Sequence, residues 1–171
     1  MILERRSKQR VLELSVYTDG SCKSMGKTTF GGWAFIVQRD GTELYRAAGR
    51  EKDTTNQRME LQAIAEGLKY VSTIRRINEK VIFYSDSAYA INCYQKNWYI
   101  NWQRNGWVNA SGEEIKNIDL WIQIIPYFDN FWYSFLKVAG HSKNYWNELC
   151  DEMAQQQAEY LKFNWRKDYG I

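Results

Sequence analysis

The chain has 171 residues, enough for one domain with a substantial core. Apolar residues make up 44% and charged residues 25%, and no apolar run approaches the roughly 20 residues that span a bilayer, which excludes a membrane-spanning helix. The net charge of +3 permits a polyanionic partner without demanding one, and three widely spaced cysteines, Cys22, Cys93 and Cys150, argue for free thiols in a reducing compartment over a disulfide framework or a zinc site.

Residues 1–10 contain Arg5, Arg6, Lys8 and Arg10 and are expected to form a short basic arm; no long apolar stretch follows these charges, so they do not read as a secretory signal. From Leu12 the period is two. Leu12, Leu14 and Val16 alternate with Glu13, Ser15 and Tyr17, predicting a strand that leads into Asp19 and a turn at Gly20. Gly31-Gly32 precedes a second apolar run, Trp33 to Val37; Asp40-Gly41 signals a hairpin, and Thr42 to Arg50 is the returning strand. The period then lengthens. Met59, Leu61, Ile64, Ala65, Leu68 and Val71 have helical spacing, with Thr54 and Gln57 fitting a capping box and Thr55 or Asn56 as alternative caps. Lys80 to Tyr84 predicts a buried strand ending at Ser85-Asp86. A second helix carries Ala90, Ile91, Tyr94 and Trp98 on one side, and the Trp-rich stretch after it holds too much Asn and Gly for one clean element. A helix over about Glu114–Ile125, a strand over Phe131–Val138 and a helix over Asn147–Leu161 complete the body.

The order β-β-β-α-β-α-α-β-α predicts an α/β fold: a five-stranded mixed sheet, three antiparallel strands plus two parallel, with helices on both faces. Residues 11–162 form the expected domain, and residues 163–171 a C-terminal tail, too short, like the arm, to fold independently. On this layout Asp19 and Asp86 stand at the C-terminal ends of two parallel strands, where open sheets place their ligands. Glu60 falls in the first turns of the helix crossing between those strands, and Asp151 in the first turns of the last helix. Buried carboxylates repel one another unless cations neutralise them, and oxygen-only ligands select hard ions such as Mg²⁺ or Mn²⁺. Two such ions stabilise the attacking and leaving oxygens of a phosphoryl displacement. The competing reading is structural: Asp19 forms a turn, Asp86 caps a helix, and Glu60 and Asp151 favour helix N-termini. Spacing alone leaves both open.

Five stretches in order, YTDGSC, TTNQRMEL, YSDSAYAI, the NW…NW…NGW segment with KNIDLW, and GHSKNYWNELCDEMA, resemble type 1 ribonuclease H from about Leu12 to Leu161. The resemblance implies a ribonuclease H-like fold. It implies that Asp19, Glu60, Asp86 and Asp151 are catalytic acids binding two Mg²⁺ ions, with Mn²⁺ able to substitute. The implied reaction is hydrolysis of the RNA strand of an RNA–DNA hybrid, leaving 5′-phosphate and 3′-hydroxyl ends. His141, the single histidine, matches the family's mobile-loop histidine, which assists proton transfer or release of product and metal; a near-neutral pKa suits that task.

The same resemblance assigns substrate contacts. Asn56 and Gln57, with the backbone around Cys22, match groups that read the RNA strand. Thr55 and Asn117 match a pocket for a phosphate of the DNA strand. Trp98 and Trp102 match an aromatic channel in which a deoxyribose CH₂ packs and a 2′-hydroxyl would clash. Three departures stand out: the usually lysine-rich protrusion reads QRNGWVNASGEEIK, Asp53 stands where a basic residue is common, and Met25 where an Asn is common. The first, with Arg104 and Lys116 set against Glu113 and Glu114, predicts weaker hybrid affinity, or compensation by the basic arm; the second bears on the phosphate pocket. The expected partner is the hybrid alone, with a monomeric, cytoplasmic protein, no membrane and no obligate protein partner. The alternatives are a non-catalytic hybrid-binding module on the same fold, a DNA strand-transfer enzyme and a calcium-binding protein; the last lacks the D-x-D-x-D-G loop.

Overall fold

The computed structural model describes residues 12–138, 144–168 and 170. Strands β1 (Leu12–Met25), β2 (Thr28–Arg39) and β3 (Thr42–Lys52) form an antiparallel meander. Helix α1 (Asn56–Ile74) crosses to β4 (Glu79–Ser85), which lies parallel to β1. Helices α2 (Ala88–Gln95), α3 (Trp98–Arg104) and α4 (Ile118–Ile124) lead to β5 (Tyr133–Lys137), parallel to β4, and α5 (Tyr145–Asp168) follows. The sheet order is β3-β2-β1-β4-β5, the mixed five-stranded sheet expected from the element order.

The alternation in β1 sends side chains to two cores. Leu14 and Val16 join Phe35, Leu61, Leu68 and Phe83 on the α1 side, while Tyr17 joins Ala34, Ile36, Cys150 and Ala154 on the α5 side. Asp40 and Gly41 both take positive φ, 51° and 80°, as the β2–β3 hairpin requires.

Four departures from the sequence expectation have identifiable causes. β1 does not turn at Gly20; it runs nine residues past Val16 to Met25, and the turn comes at Gly26, where φ is +61°. The stripe that placed Trp98 on the second helix is cut by Asn97, which adopts a left-handed φ of 54° and separates α2 from α3. Asn117, with φ 60°, likewise delays α4 until Ile118. Residues 163–168, expected as tail, continue α5, because Trp165 packs 6.1 Å from Phe30 and holds the helix to the sheet.

At the end of the sheet opposite Asp19, Glu79 is fully buried and receives Arg39 through two bonds of 2.6 and 3.1 Å, with the Arg76 N–H at 2.9 Å. Burial pushes the Glu79 carboxyl up, but these donors outweigh it and hold it below its ordinary value. The pair ties the end of β2 to the start of β4. Removing one partner leaves a buried charge unpaired, so Glu79→Ala is expected to cost about 3 kcal/mol in urea unfolding; a loss below about 1 kcal/mol would show the pair to be dispensable.

Candidate active site

The acids converge because β1 outruns β4. Pairing between them ends at Thr18 opposite Ser85, while β1 continues beside β2. Asp19 is the first residue past that end, and Asp86 the first past β4. Glu60 lies one turn into α1, whose N-cap is Thr55; its side chain accepts the Arg58 N–H at 3.1 Å, so the cap is not Thr54. Gly20 explains how α1 comes so near. A Cβ there would lie 2.2 Å from the Glu60 nitrogen, so only a bare backbone lets the helix seat beside Asp19. Gly32 does the same for α5: its Cβ would lie 2.0 Å from the Ala154 carbonyl oxygen. Asp19, Glu60, Asp86 and Asp151 thereby line one cavity of about 250 Å³, with Ser21, Asn56, Asn147, Glu148 and Gln155.

Electrostatics single out Asp19. It is 5% exposed, and its carboxyl is pushed up to about 8, first by burial, then by the charges of Asp86 and Asp151. The Gly20 N–H, 2.7 Å from Oδ1, opposes the shift, and Glu60 adds to it. Glu60 is also raised, chiefly by burial, with Asp86 contributing and hydrogen bonds from Ser87 and Asn56 opposing. The Asn56 amide donates to Glu60 Oε1 at 2.8 Å, and Gln155 donates to both oxygens of Asp151 at 2.8 and 2.9 Å. Among the described residues no three His, Cys, Asp or Glu side chains are gathered tightly enough to form a ready-made ion cage. The donor set nevertheless fits hard divalent cations: it is all oxygen, strongly anionic, and it burdens Asp19 with a proton that a cation would replace.

The remaining sequence candidates fall into two groups beside the cavity. Trp98, Trp102 and Gln57 line a groove of about 590 Å³ with Tyr89, Asn101 and the turn that closes at the Val108–Glu114 bridge. Trp102 is 6% exposed and packs 5.9 Å from Tyr89, so it is as much core as surface; Trp98 is the more open ring. Thr55 and Asn117 are brought together around Arg58, a residue the sequence reading did not single out. Its guanidinium donates to Asn117 Oδ1 at 3.3 Å and pairs with Glu51 and Asp119, each at 2.9 Å. Cys22 is half-buried, its thiol directed at the Thr54 carbonyl at 3.6 Å. Asp53 pairs with Lys52. His141 and the basic arm lie outside the described residues. Asn147, Glu148 and Gln155 were also missed, although Asn147 and Gln155 are each four residues from Asp151 and so share its helix face.

A mixed sheet with acids gathered past the ends of its parallel strands, beside an aromatic groove, defines a nuclease-type scaffold. The chain belongs to the RNase H family, which it matches over residues 12–159. It is 44% identical over 149 residues to a ribonuclease H of Syntrophomonas wolfei, covering 87% of this chain and 98% of that protein. Among solved structures it is similar to LC9-RNase H1, a type 1 RNase H with the type 2 active-site motif (TM-score 0.73, 25% identity, 90% of this chain and 75% of that one). It also resembles the foamy viral protease-reverse transcriptase in complex with RNA/DNA hybrid, at TM-score 0.76 and 20% identity, covering 94% of this chain and 22% of that one; there the likeness is one of fold.

Two outcomes follow from this geometry. The unfolded chain releases the Asp19 proton near 3.8, whereas the folded, metal-free protein holds it to about 8. Between those values the folded state binds more protons, so stability falls as pH rises. In chelator the melting temperature is expected to drop from about pH 5 to pH 8, and MgCl₂ or Asp19→Asn to remove most of that drop; a flat parent profile would refute the shift. Gly20→Ala forces α1 away from Asp19 and is expected to lower ribonuclease H activity about 100-fold, out of proportion to its effect on melting.

Proposed function

We propose that this chain is an endoribonuclease that hydrolyses the RNA strand of RNA–DNA hybrids, with Asp19, Glu60, Asp86 and Asp151 holding two Mg²⁺ ions, and Mn²⁺ able to replace them. The observation that carries the proposal is the meeting of four acids from four distant segments in one cavity of a chain that belongs to the RNase H family. When bound, the ions supply positive charge to the attacking and leaving oxygens. The carboxylates fix where that charge sits. A water oxygen bonds to phosphorus, the P–O3′ bond breaks, the water yields its proton and the departing O3′ takes one up. This leaves a 5′-phosphate and a 3′-hydroxyl, with His141 assisting the proton transfer or the release of product and metal.

The surroundings choose the strand. Asn56, Gln57 and the backbone at Cys22 present polar groups to the 2′-hydroxyls of the RNA. Trp98 and Trp102 pack the deoxyriboses of the other strand, and Thr55 and Asn117 receive one of its phosphates. The protein acts as a monomer in the cytoplasm, away from membranes; the free thiols of Cys22, Cys93 and Cys150 suit a reducing compartment, and no helix among the described residues is long and apolar enough to cross a bilayer.

The test is cleavage of an end-labelled RNA–DNA hybrid in Mg²⁺, beside double-stranded RNA, double-stranded DNA and single-stranded RNA. Cutting of the hybrid's RNA alone is expected, with Asp19→Asn slower by at least about 1,000-fold, the scale of losing a principal electrostatic contact in the transition state. Mg²⁺-dependent binding without cutting would refute the enzymatic assignment and leave a hybrid-binding module.

A further inference from the structure

Helix α5 turns one face toward β1 and β2. Its buried residues are Asn147, Cys150, Ala154, Ala158 and Leu161, and Asn147 is the one carboxamide among them. It is 3% exposed. Its backbone N–H is satisfied by Asn144 Oδ1 at 3.3 Å, but its side-chain Oδ1 is buried and accepts no hydrogen bond among the described residues. A buried oxygen left in that condition is costly, and an apolar residue would avoid the cost. Its surroundings indicate what it awaits. Asn147 stands one helical turn before Asp151 and lines the same cavity as Asp19, Glu60 and Asp86.

Whatever completes this oxygen must donate hydrogen bonds. Once the neighbouring carboxylates are ionised they only accept, so the occupant that satisfies both them and Asn147 is rich in donors and positively charged. A hydrated divalent cation satisfies both demands, because Mg²⁺ keeps several of its waters when bound by carboxylates. We infer that Asn147 is a positioning residue for the cation of this site, its side-chain oxygen accepting a hydrogen bond from that cation's hydration shell. The inference rests on the cation reading of the cavity given above. A neutral amide orients the shell without adding another negative charge to a cluster whose mutual repulsion already burdens Asp19. Groups that act on a metal through an intermediary typically influence affinity by about 10- to 100-fold.

The experiment titrates MgCl₂, and separately MnCl₂, into the metal-free full-length protein by calorimetry, with melting temperatures in chelator and in metal. No substrate is present. Asn147→Leu is expected to weaken metal affinity about 10-fold or more, while melting in chelator stays at the parental value or rises. Asn147→Asp keeps the acceptor but adds a charge; it is expected to melt lower in chelator and to gain more than the parent from metal. A Leu variant with affinity within twofold of the parent would overturn the inference. So would one that melts well below the parent in chelator, which marks Asn147 as structural. Asp19→Asn separates the levels. If it and the parent bind metal alike, or neither binds, the cation reading of the cavity fails and the role of Asn147 fails with it. If Asp19→Asn loses metal while Asn147→Leu does not, only the present inference fails.

Discussion

Mutual repulsion among Asp19, Glu60, Asp86 and Asp151 is the condition under which the rest of this fold is arranged. Asp19 occupies a place where the sheet buries a carboxylate and also shares it. β1 has run out of its parallel partner at Thr18 but stays paired with β2 to Met25. The residue between those limits is backed by the sheet yet opens toward whatever lies beyond β4. Burial raises the proton affinity of Asp19, and the charges of Asp86 and Asp151 raise it further. Left to local preference, the chain would separate such groups.

What holds them is packing on both faces. α1 is pinned by Met59, Leu61, Ile64 and Leu68, all essentially inaccessible to water, so Glu60 cannot retreat without disrupting that core. α5 is seated by Cys150, whose thiol donates to the Ala34 carbonyl at 3.2 Å and approaches that of Tyr17 at 3.5 Å. Those contacts anchor the residue before Asp151 to the two strands beneath it. Burial pushes the Cys150 thiol well up, so it remains a protonated donor and adds no negative charge near Asp19. At the far end of the sheet the Arg39–Glu79 pair fixes β4 against β2. The strand that delivers Asp86 just past its end is therefore registered from its opposite end.

The sequence made the periodic elements readable because their signals are local. Alternation in Leu12 to Tyr17, the Asp40-Gly41 turn and the helical stripe from Met59 to Val71 need no knowledge of distant segments. Their order was enough to bring four carboxylates to one edge of the sheet. The misread features depend on contacts far along the chain. Gly20 looks like a turn residue; its actual reason is the Glu60 backbone, forty residues later in the chain. Asn97 and Asn117 break helices by adopting left-handed φ, which their residue type permits but does not announce. Asn147 resembles an ordinary polar residue near a helix start. Its significance appears only once α5 is laid on the sheet and its amide is enclosed beside the acids.

The surface around the site bears on how a charged substrate would be held. Among the described residues, several cations near the candidate binding residues are engaged: Arg58 with Glu51 and Asp119, Lys52 with Asp53, and Lys23 with Glu159 at 4.0 Å. The groove beside Trp98 carries Glu113 and Glu114 with Lys116. Such a surface sets phosphates in competition with carboxylates for the same cations, which gives shape and hydroxyl recognition a larger share of the discrimination. It also changes the electrostatic meaning of the acid cavity. Without cations the cavity repels phosphate; with them it would become a concentrated source of attraction. On the proposed function, the ions that drive bond cleavage also supply much of the attraction that brings the scissile phosphate into place. Residues that set ion affinity would then govern substrate affinity as well.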